Sequence, residues 1–536
     1  MPDTATPKLL PAEGEIKMRL YGQGLGDCFL LAFPRPGKPL DPCYLVIDCG
    51  VAMSTPDKKV RIQTVVENLR EATGGHIDVL AITHQHYDHI SSFVDARDLW
   101  QTIKVDALYL PWTESANLGG EHKSRKSFRD ALEKAAQKAL ENAATAGILD
   151  QPGFRAQADF LGVPSGINAS GPPTDMDGAM EFARSLCPAG KIQFFEPGDV
   201  FRLPGTNHHG YVLGPPLPTK QGPQYIEILS DETEMYSYGP LGLKVDSGLP
   251  GGAKALALSD DRSLPALTSA LLALDNPDRS GDEGFSPFAP QVRLDWDLST
   301  SSPFFKAHYG EHKSPDEEVE PNGEWRRIDF DWLAGAATLA LRAGDYTNNV
   351  SLVLAFDHPD SEKMLLFPGD AQVGNWLSWH TLDEWRFRED AAPQKPPEAK
   401  GDKSLMENLL GRVAFYKVGH HGSHNATIKD KGLEAMTRKD LVAFVPVSVP
   451  VAQDLMGYCP MPFYPVLRAL QRKTEGRVFL PNGEPIGPLP ANSSSATLRA
   501  ASRITLAAVD LPAKQDANGR PLEGPVPLYL EAIVGV

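Results

Sequence analysis

Cysteine and net positive charge are both in short supply in this chain. Its 536 residues hold five cysteines, Cys28, Cys43, Cys49, Cys187 and Cys459, an odd number with no Cys-x-x-Cys pair. That usage excludes a disulfide framework and fits a reducing compartment. Lysine and arginine number 52 against 69 aspartates and glutamates, a net charge of −17. Such a balance excludes a protein that coats nucleic acid by charge alone and leaves only a local basic groove. No apolar run approaches the roughly 20 residues that span a bilayer, and Met1 to Met18 lacks the charged-then-apolar pattern of a secretory leader. A soluble, cytoplasmic protein with no membrane partner is the expectation.

The rest of the composition is that of an ordinary globular chain, 41% hydrophobic and 23% charged. The length exceeds one usual domain, so insertions or a second domain are expected. Forty-seven glycines and 47 prolines imply many turns and long loops.

Histidine is scarce, 14 in all, yet three lie in Thr83-His84-Gln85-His86-Tyr87-Asp88-His89. This stretch follows the branched apolar run Asp78-Val79-Leu80-Ala81-Ile82, which reads as a buried strand. Alternate residues of a strand share a face, so His84 and His86 are expected to point the same way. Asp88 and His89 fall where the strand turns over. The spacing suits two adjacent metal ions, one on His84 and His86, the other on Asp88 and His89. Imidazole and carboxylate without thiolate suit zinc, and manganese or iron less exclusively.

Around this motif the chain reads as strands and helices interrupted twice. Gly22 to Cys28 feeds the strand Phe29 to Phe33; with no Gly-Lys-Ser/Thr it is no phosphate loop, and a hairpin is expected. Tyr44 to Cys49 is a strand carrying Asp48, which either orients a metal-bound histidine or caps the next turn. Val60, Ile62, Val65, Val66 and Leu69 recur at helical spacing. The helix expected over Lys123 to Glu141 is locally basic, a solvated face or a substrate-facing insertion. His208-His209 is expected in an exposed loop. Residues 217–325 are rich in Gly, Pro, Asp and Ser and read as an insertion. Later strands end in potential ligands, Met364 to Phe367 at Gly369-Asp370 and Val413 to Val418 at Gly419-His420-His421-Gly422-Ser423.

Strand ends are where sites gather in open α/β architectures, so these residues are expected to form one site. Asp370 can bridge two metals roughly 3.5–4 Å apart and leave room for a hydroxide. One of His420 and His421 completes the second metal, and its neighbour contacts a phosphoryl oxygen or protonates the leaving group. Ser423 is an oxyanion candidate.

The motif His-x-His-x-Asp-His after a strand resembles the signature of the metallo-β-lactamase superfamily. Gly24 to Phe33, Ile47-Asp48-Cys49-Gly50, Asn348 to Leu354, Gly369-Asp370 and His420-His421-Gly422-Ser423 further resemble one branch. That branch is the soluble hydrolase domain of bacterial competence (DNA-uptake) proteins and its free-standing relatives. The resemblance covers about half the chain. It implies a four-layer αββα sandwich, α/β (α+β) in class, with large insertions and one or two zinc ions, manganese as the alternative.

The expected ligands are His84, His86, Asp88, His89, Asp345, Asp370 and His421, with Asp27 and Asp48 just outside them and Asp88, His420 and Ser423 in the chemistry. Asp345 enters because the usual third histidine is missing before the Gly-Asp strand. The branch's later Gly-His-Pro reads Gly457-Tyr458-Cys459-Pro460 here. The halves of the domain are expected at 15–112 and 326–480. A helical insertion at 113–190, a return to the core at 191–216, the irregular insertion at 217–325 and an extension at 481–536 complete the chain. Phosphodiester hydrolysis, with nucleic acid as a possible substrate, is the leading expectation. Hydrolysis of an acyl bond (lactone, thioester or amide) and a non-enzymatic metal-bearing scaffold are the alternatives.

Overall fold

A computed structural model describes residues 8–145, 158–164, 174–222, 224–228, 230–237, 303, 343–388, 395–455, 461–490, 493–511 and 526–536. Most of the insertion at 217–325, the helix-prone run Asp331 to Leu341 and the stretch Gly457 to Pro460 lie outside the described residues.

The described chain is mixed α/β and rests on two eight-stranded sheets. The first holds β1 (Glu15–Tyr21), β2 (Cys28–Arg35), β3 (Lys38–Cys49), β4 (His76–Ala81), β5 (Lys104–Pro111) and β6 (Ile192–Phe195). The second holds β7 (Asp199–Arg202), β8 (His209–Gly214), β9 (Val353–His358), β10 (Lys363–Phe367), β11 (Arg386–Phe387), β12 (Val413–Lys417), β13 (Val442–Phe444) and β14 (Val478–Phe479). The late strands β15 (Ile504–Leu506) and β18 (Tyr529–Gly535) join the first sheet, in the order β15-β18-β1-β2-β3-β4-β5-β6. A separate ribbon pairs β16 (Asp510–Leu511) with β17 (Val526–Pro527).

Both sheets are mixed. The hairpin β1–β2, expected from the Gly22 to Cys28 turn, is antiparallel, whereas β3, β4 and β5 run parallel. In the second sheet β8, β9 and β10 are antiparallel and β10, β12 and β13 parallel. Parallel β10 and β12 bring their carboxyl ends to one edge, which places Asp370 and His420 together, and β4 of the first sheet brings His84 to the same end, each three residues past its strand.

Period-two alternation decides what each strand buries. Phe29 and Leu31 pack with Leu354, Phe356, Leu365 and Phe367 in a cluster drawn from both sheets. Leu30, Val46 and Leu80 face the other way, against Ile62, Val65 and Leu69 of the helix Lys58–Thr73. On the second sheet Tyr211, Val353 and Ala355 pack against Trp376 and Trp379, with Leu467 and Leu470 of the helix Tyr464–Thr474 in the same cluster.

Three expectations are corrected. Residues 481–536 are more than an extension, because β18 pairs with β1 along its whole length, Glu15↔Gly535 to Tyr21↔Tyr529. The return to the core expected at 191–216 is divided between the two sheets, β6 and β7 being split where Gly198 turns with φ of 90°. His208-His209 is no exposed loop. Both rings are buried, and His209 begins β8, where Asp357 accepts from its backbone N–H at 2.6 Å and faces its Nδ1 at 2.9 Å.

The helix Gly120–Thr145 is anchored on one side by a buried carboxylate, while Lys123 and Lys134 on it are exposed. Glu114 receives Arg129 Nη2 at 2.9 Å and Arg184 Nη2 at 3.0 Å, with Lys126 Nζ at 3.5 Å. Burial acts to raise the Glu114 pKa, but Arg129, Lys126 and Arg184 bring it down to about 2. Glu114→Ala is expected to destabilise the fold by about 2–4 kcal/mol near neutral pH, because it removes the buried partner of Arg129 and leaves it only the partly exposed Asp130. A carboxyl depressed from its ordinary 4.5 contributes fully above that value and loses its contribution as pH falls towards 2. The gap in melting temperature between variant and parent should therefore narrow from pH 7 to pH 3; a gap independent of pH would refute the assignment.

Candidate metal centre

Four loops build the site. The strand expected to carry His84 and His86 stops at Ala81, so both lie in the following loop, and Asp88 and His89 start the short helix Tyr87–Ile90. The pleat therefore does not align the two imidazoles; the loop does, with His84 Nε2 3.1 Å from His86 Nδ1. Gly50 lets the end of β3 press against this turn, since a Cβ there would sit 2.3 Å from the Asp88 carbonyl carbon. The glycine turn before β2 closes the same side, with Asp27 N–H donating to the Asp88 carbonyl at 3.1 Å.

After β12 the chain turns through His420 (φ 42°) and His421 (φ 51°), and Asp48 on β3 has φ of 53°. Non-glycine residues in the left-handed region cost roughly 1–3 kcal/mol each and persist where the surroundings over-determine them. Three of them touch one cluster here. Asp88, His89, Asp370 and His421 are all fully buried, and each offers one ligand atom within 4.8 Å of the others.

Hydrogen bonds set which nitrogen of each ring faces inward. His89 Nδ1 is 2.9 Å from Asp48 Oδ2, and His421 Nδ1 is 2.7 Å from the Pro446 carbonyl. Each Nδ1 therefore carries its proton, and each Nε2 turns to the cluster: His421 Nε2 lies 2.8 Å from Asp88 Oδ2 and His89 Nε2 3.2 Å from Asp370 Oδ2. His84 follows the same rule, since Thr83 Oγ1 donates to Asp48 Oδ2 at 2.7 Å and so accepts from His84 Nδ1 at 3.0 Å. His420 does as well, because Ser423 Oγ donates to Asn425 Oδ1 at 3.0 Å and faces His420 Nδ1 at 3.1 Å.

Four imidazoles thus have one nitrogen tied outside and a lone pair inside, the pattern by which proteins orient metal-binding histidines. Buried atoms without a hydrogen-bond partner collect here too: His86 Nε2, Asp88 Oδ1, His89 Nε2, Asp370 Oδ2 and His420 Nε2. Uncompensated buried acceptors are costly, and imidazole lone pairs facing carboxylate oxygens need a cation, a proton or a metal, between them. The residues fit a divalent ion.

Electrostatics agrees. Burial pushes His84 well below its ordinary value, and His89 and His86 push it the same way. Burial likewise takes His86 and His420 down to about 4. For His89, burial acts downward, but Asp370, Asp88, Asp48 and Asp27 together raise it well above the usual range. Asp370 is the converse: burial acts upward, while His89, His420 and Lys417 hold its carboxyl well below the usual range.

Lys417, the last residue of β12, is the group that sequence reasoning missed. It is completely buried, ion-paired to Asp27, 3.4 Å from Asp370 Oδ1 and 2.8 Å from the Gly369 carbonyl. Its signal was a lone lysine closing an otherwise apolar strand, next to Gly419-His420.

Two expected roles change. Asp345 lies outside the cluster, in the helical turn 343–349, and its Oδ1 accepts from Gln372 Nε2 at 2.7 Å. Ser351, just before β9, stands beside His84, its Oγ 3.4 Å from His84 Nδ1 and accepting from Asp370 N–H at 3.2 Å. Ser423 is no oxyanion donor in this arrangement; its hydroxyl proton goes to Asn425 and its oxygen holds His420.

Beside His86 is a small cavity of about 70 Å³, walled by Phe160, Asp130, Glu133, Asp175 and Asp177, with Lys134 the cation among its lining. Lys134 is 3.3 Å from Asp177. The helix Gly120–Thr145 therefore offers carboxylates to the site, and Lys126, Arg129 and Lys134 on it are paired with acidic partners. Among the described residues no helix is long and apolar enough to cross a membrane. In comparisons with known proteins, no family model and no curated sequence matches the chain.

Proposed function

We propose that this chain is a metal-dependent hydrolase on the four-layer αββα plan of the metallo-β-lactamase superfamily. One observation carries the reading: three buried histidines, His89, His420 and His421, each tied at Nδ1, aim Nε2 at Asp88 or Asp370, and His84, tied at its own Nδ1, faces His86 beside them. His84, His86, His420 and Asp370 would hold one ion; Asp88, His89, His421 and the shared Asp370 a second. Zinc suits these donors, with manganese next. A bound divalent ion supplies Lewis acidity and an activated water at neutral pH.

The chain's own residues do the rest. Asp48 and the Pro446 carbonyl keep His89 and His421 in one tautomer. Asp88 Oδ1 is left without a partner and can take the proton of an attacking water. His420, neutral at pH 7 with its lone pair inward, binds or accepts at Nε2 and does not protonate a leaving group. Phe160, its ring centre 5.8 Å from that of His86, forms an apolar wall on that side.

Phosphodiester cleavage is the substrate reading that the motif set resembles. A second reading, an acyl bond in an uncharged or cationic substrate, is favoured by the carboxylates around the cavity beside His86, which repel a polyanion. Zinc- or manganese-loaded protein should therefore be assayed on bis(p-nitrophenyl) phosphate and on a lactone or p-nitrophenyl ester, before and after chelation. Chelator-sensitive turnover of either supports the hydrolase, and the ratio chooses the class. Full turnover after complete metal removal would sink the proposal.

A further inference from the structure

The helix Gly120–Thr145 is joined to the metal loop by one carboxylate, that of Glu133. Its Oε2 accepts from Gln85 Nε2, and its Oε1 accepts from the Thr347 hydroxyl. Gln85 is the residue between His84 and His86 and is 6% exposed. Thr347, completely buried, belongs to the helical turn that precedes β9. The chain after that turn meets the metal loop again: Leu352 N–H donates to the Thr83 carbonyl at 2.9 Å, and Ser351 Oγ stands 3.4 Å from His84 Nδ1. Glu133 therefore ties the loop that follows β4 to the turn that leads into β9.

One helical turn later, on the same face, Gln137 Nε2 donates to the Leu161 carbonyl at 2.8 Å. The adjoining Phe160 has its ring centre 5.8 Å from that of His86 and 5.5 Å from that of His420. Both side chains thus brace the flank of the site on which His86 lies. That flank needs bracing, because no strand pleat sets the 3.1 Å between His84 Nε2 and His86 Nδ1. Without Glu133 the Gln85 amide keeps a buried donor with nothing to accept it, and the loop must shift to satisfy it.

Glu133 does this through neutral partners. Burial pushes its carboxyl up, with Arg129 acting the other way, and it forms no ion pair among the described residues. A hydroxyl can donate or accept. A carboxamide in place of the carboxylate could therefore keep both bonds, taking Gln85 on its oxygen and giving an N–H to Thr347.

On the reading of this centre as that of a metal-dependent hydrolase, we infer that Glu133 is a positioning residue for it. By clamping Gln85 to Thr347 it fixes the pair His84 and His86, so the insertion helix sets the affinity of the ion those two histidines hold.

The test is zinc titration of the full chain against a chromophoric chelator, with cobalt in place of zinc read by its visible spectrum. Glu133→Ala should weaken one zinc site about tenfold, leave the other at parental affinity and alter the cobalt spectrum. Glu133→Gln should bring both affinities back to within about twofold of the parent. A role confined to stability would lower the melting temperature of Glu133→Ala and leave the affinities and the spectrum unchanged, which would overturn the inference. So would Glu133→Gln as impaired as Glu133→Ala, since charge rather than hydrogen bonding would then be at work. If Glu133→Ala does not fold, Thr347→Val keeps the volume, removes one of the two bonds and should weaken the same site by a smaller factor. Parent protein that binds no zinc would overturn the hydrolase reading together with this role; a parent that binds zinc and variants that bind it equally well would overturn this role alone.

Discussion

Asp370→Asn is expected to lower hydrolytic turnover by about a thousandfold or more and to reduce bound metal, with the fold retained. Asp370 is the joint of the site. Its Oδ2 faces His89 Nε2 at 3.2 Å and His420 Nε2 at 3.9 Å, and its Oδ1 accepts from the His420 backbone N–H at 3.1 Å. The substitution keeps the shape and removes the charge. It thereby loses the anionic donor common to both ligand groups, a change of several kcal/mol in charge stabilisation. Metal content by elemental analysis and turnover on the better substrate should fall together. Full metal content and parental turnover in Asp370→Asn would remove Asp370 from the ligand set.

Lys417→Met is expected to destabilise the metal-free protein by about 3–5 kcal/mol, the cost of stripping one partner from a buried ion pair. Lys417 and Asp27 are each about 1% exposed at the side chain, and Lys417 also faces Asp370. Burial alone would lower the lysine pKa, but Asp27 and then Asp370 raise it, so it is a fixed cation. Without it Asp27 and Asp370 repel, and a bound divalent ion becomes the principal compensation. The rise in melting temperature on adding zinc should therefore be larger in the variant than in the parent. Equal melting temperatures in the metal-free proteins, or an equal zinc shift in both, would show that Lys417 does not balance the cluster.

Much of this architecture is legible in the residue pattern, because strands and helices bury faces of fixed period. The apolar runs Asp78 to Ile82, Met364 to Phe367 and Val413 to Val418 announce strands, and each is followed at once by candidate ligands. Val60 to Leu69 announces the helix that covers the first sheet. The return of Tyr529–Gly535 to pair with β1 is not legible, since antiparallel partners about 500 residues apart share no local signal. His208-His209 misled for a related reason: its polar, Gly- and Asn-bearing surroundings look like a loop, and the buried Asp357 that receives His209 comes from β9, far away in sequence.

At the site, the residue types were determined by the sequence alone. His84, His86, Asp88, His89, Asp370, His420 and His421 are picked out by motif and by place after strands, because imidazoles and carboxylates at that density can hold a metal ion. Tertiary structure decided the rest. It set Asp345 aside, turned Ser423 to His420, brought Lys417 in beside Asp27 and lined the neighbouring cavity with acids. Each of these depends on which side chain stands within about 3 Å, for Asp345, Lys417 and the cavity one from another strand or loop. Hydrogen bonds and ion pairs act over that distance, and the chain's own periodicity carries no record of it.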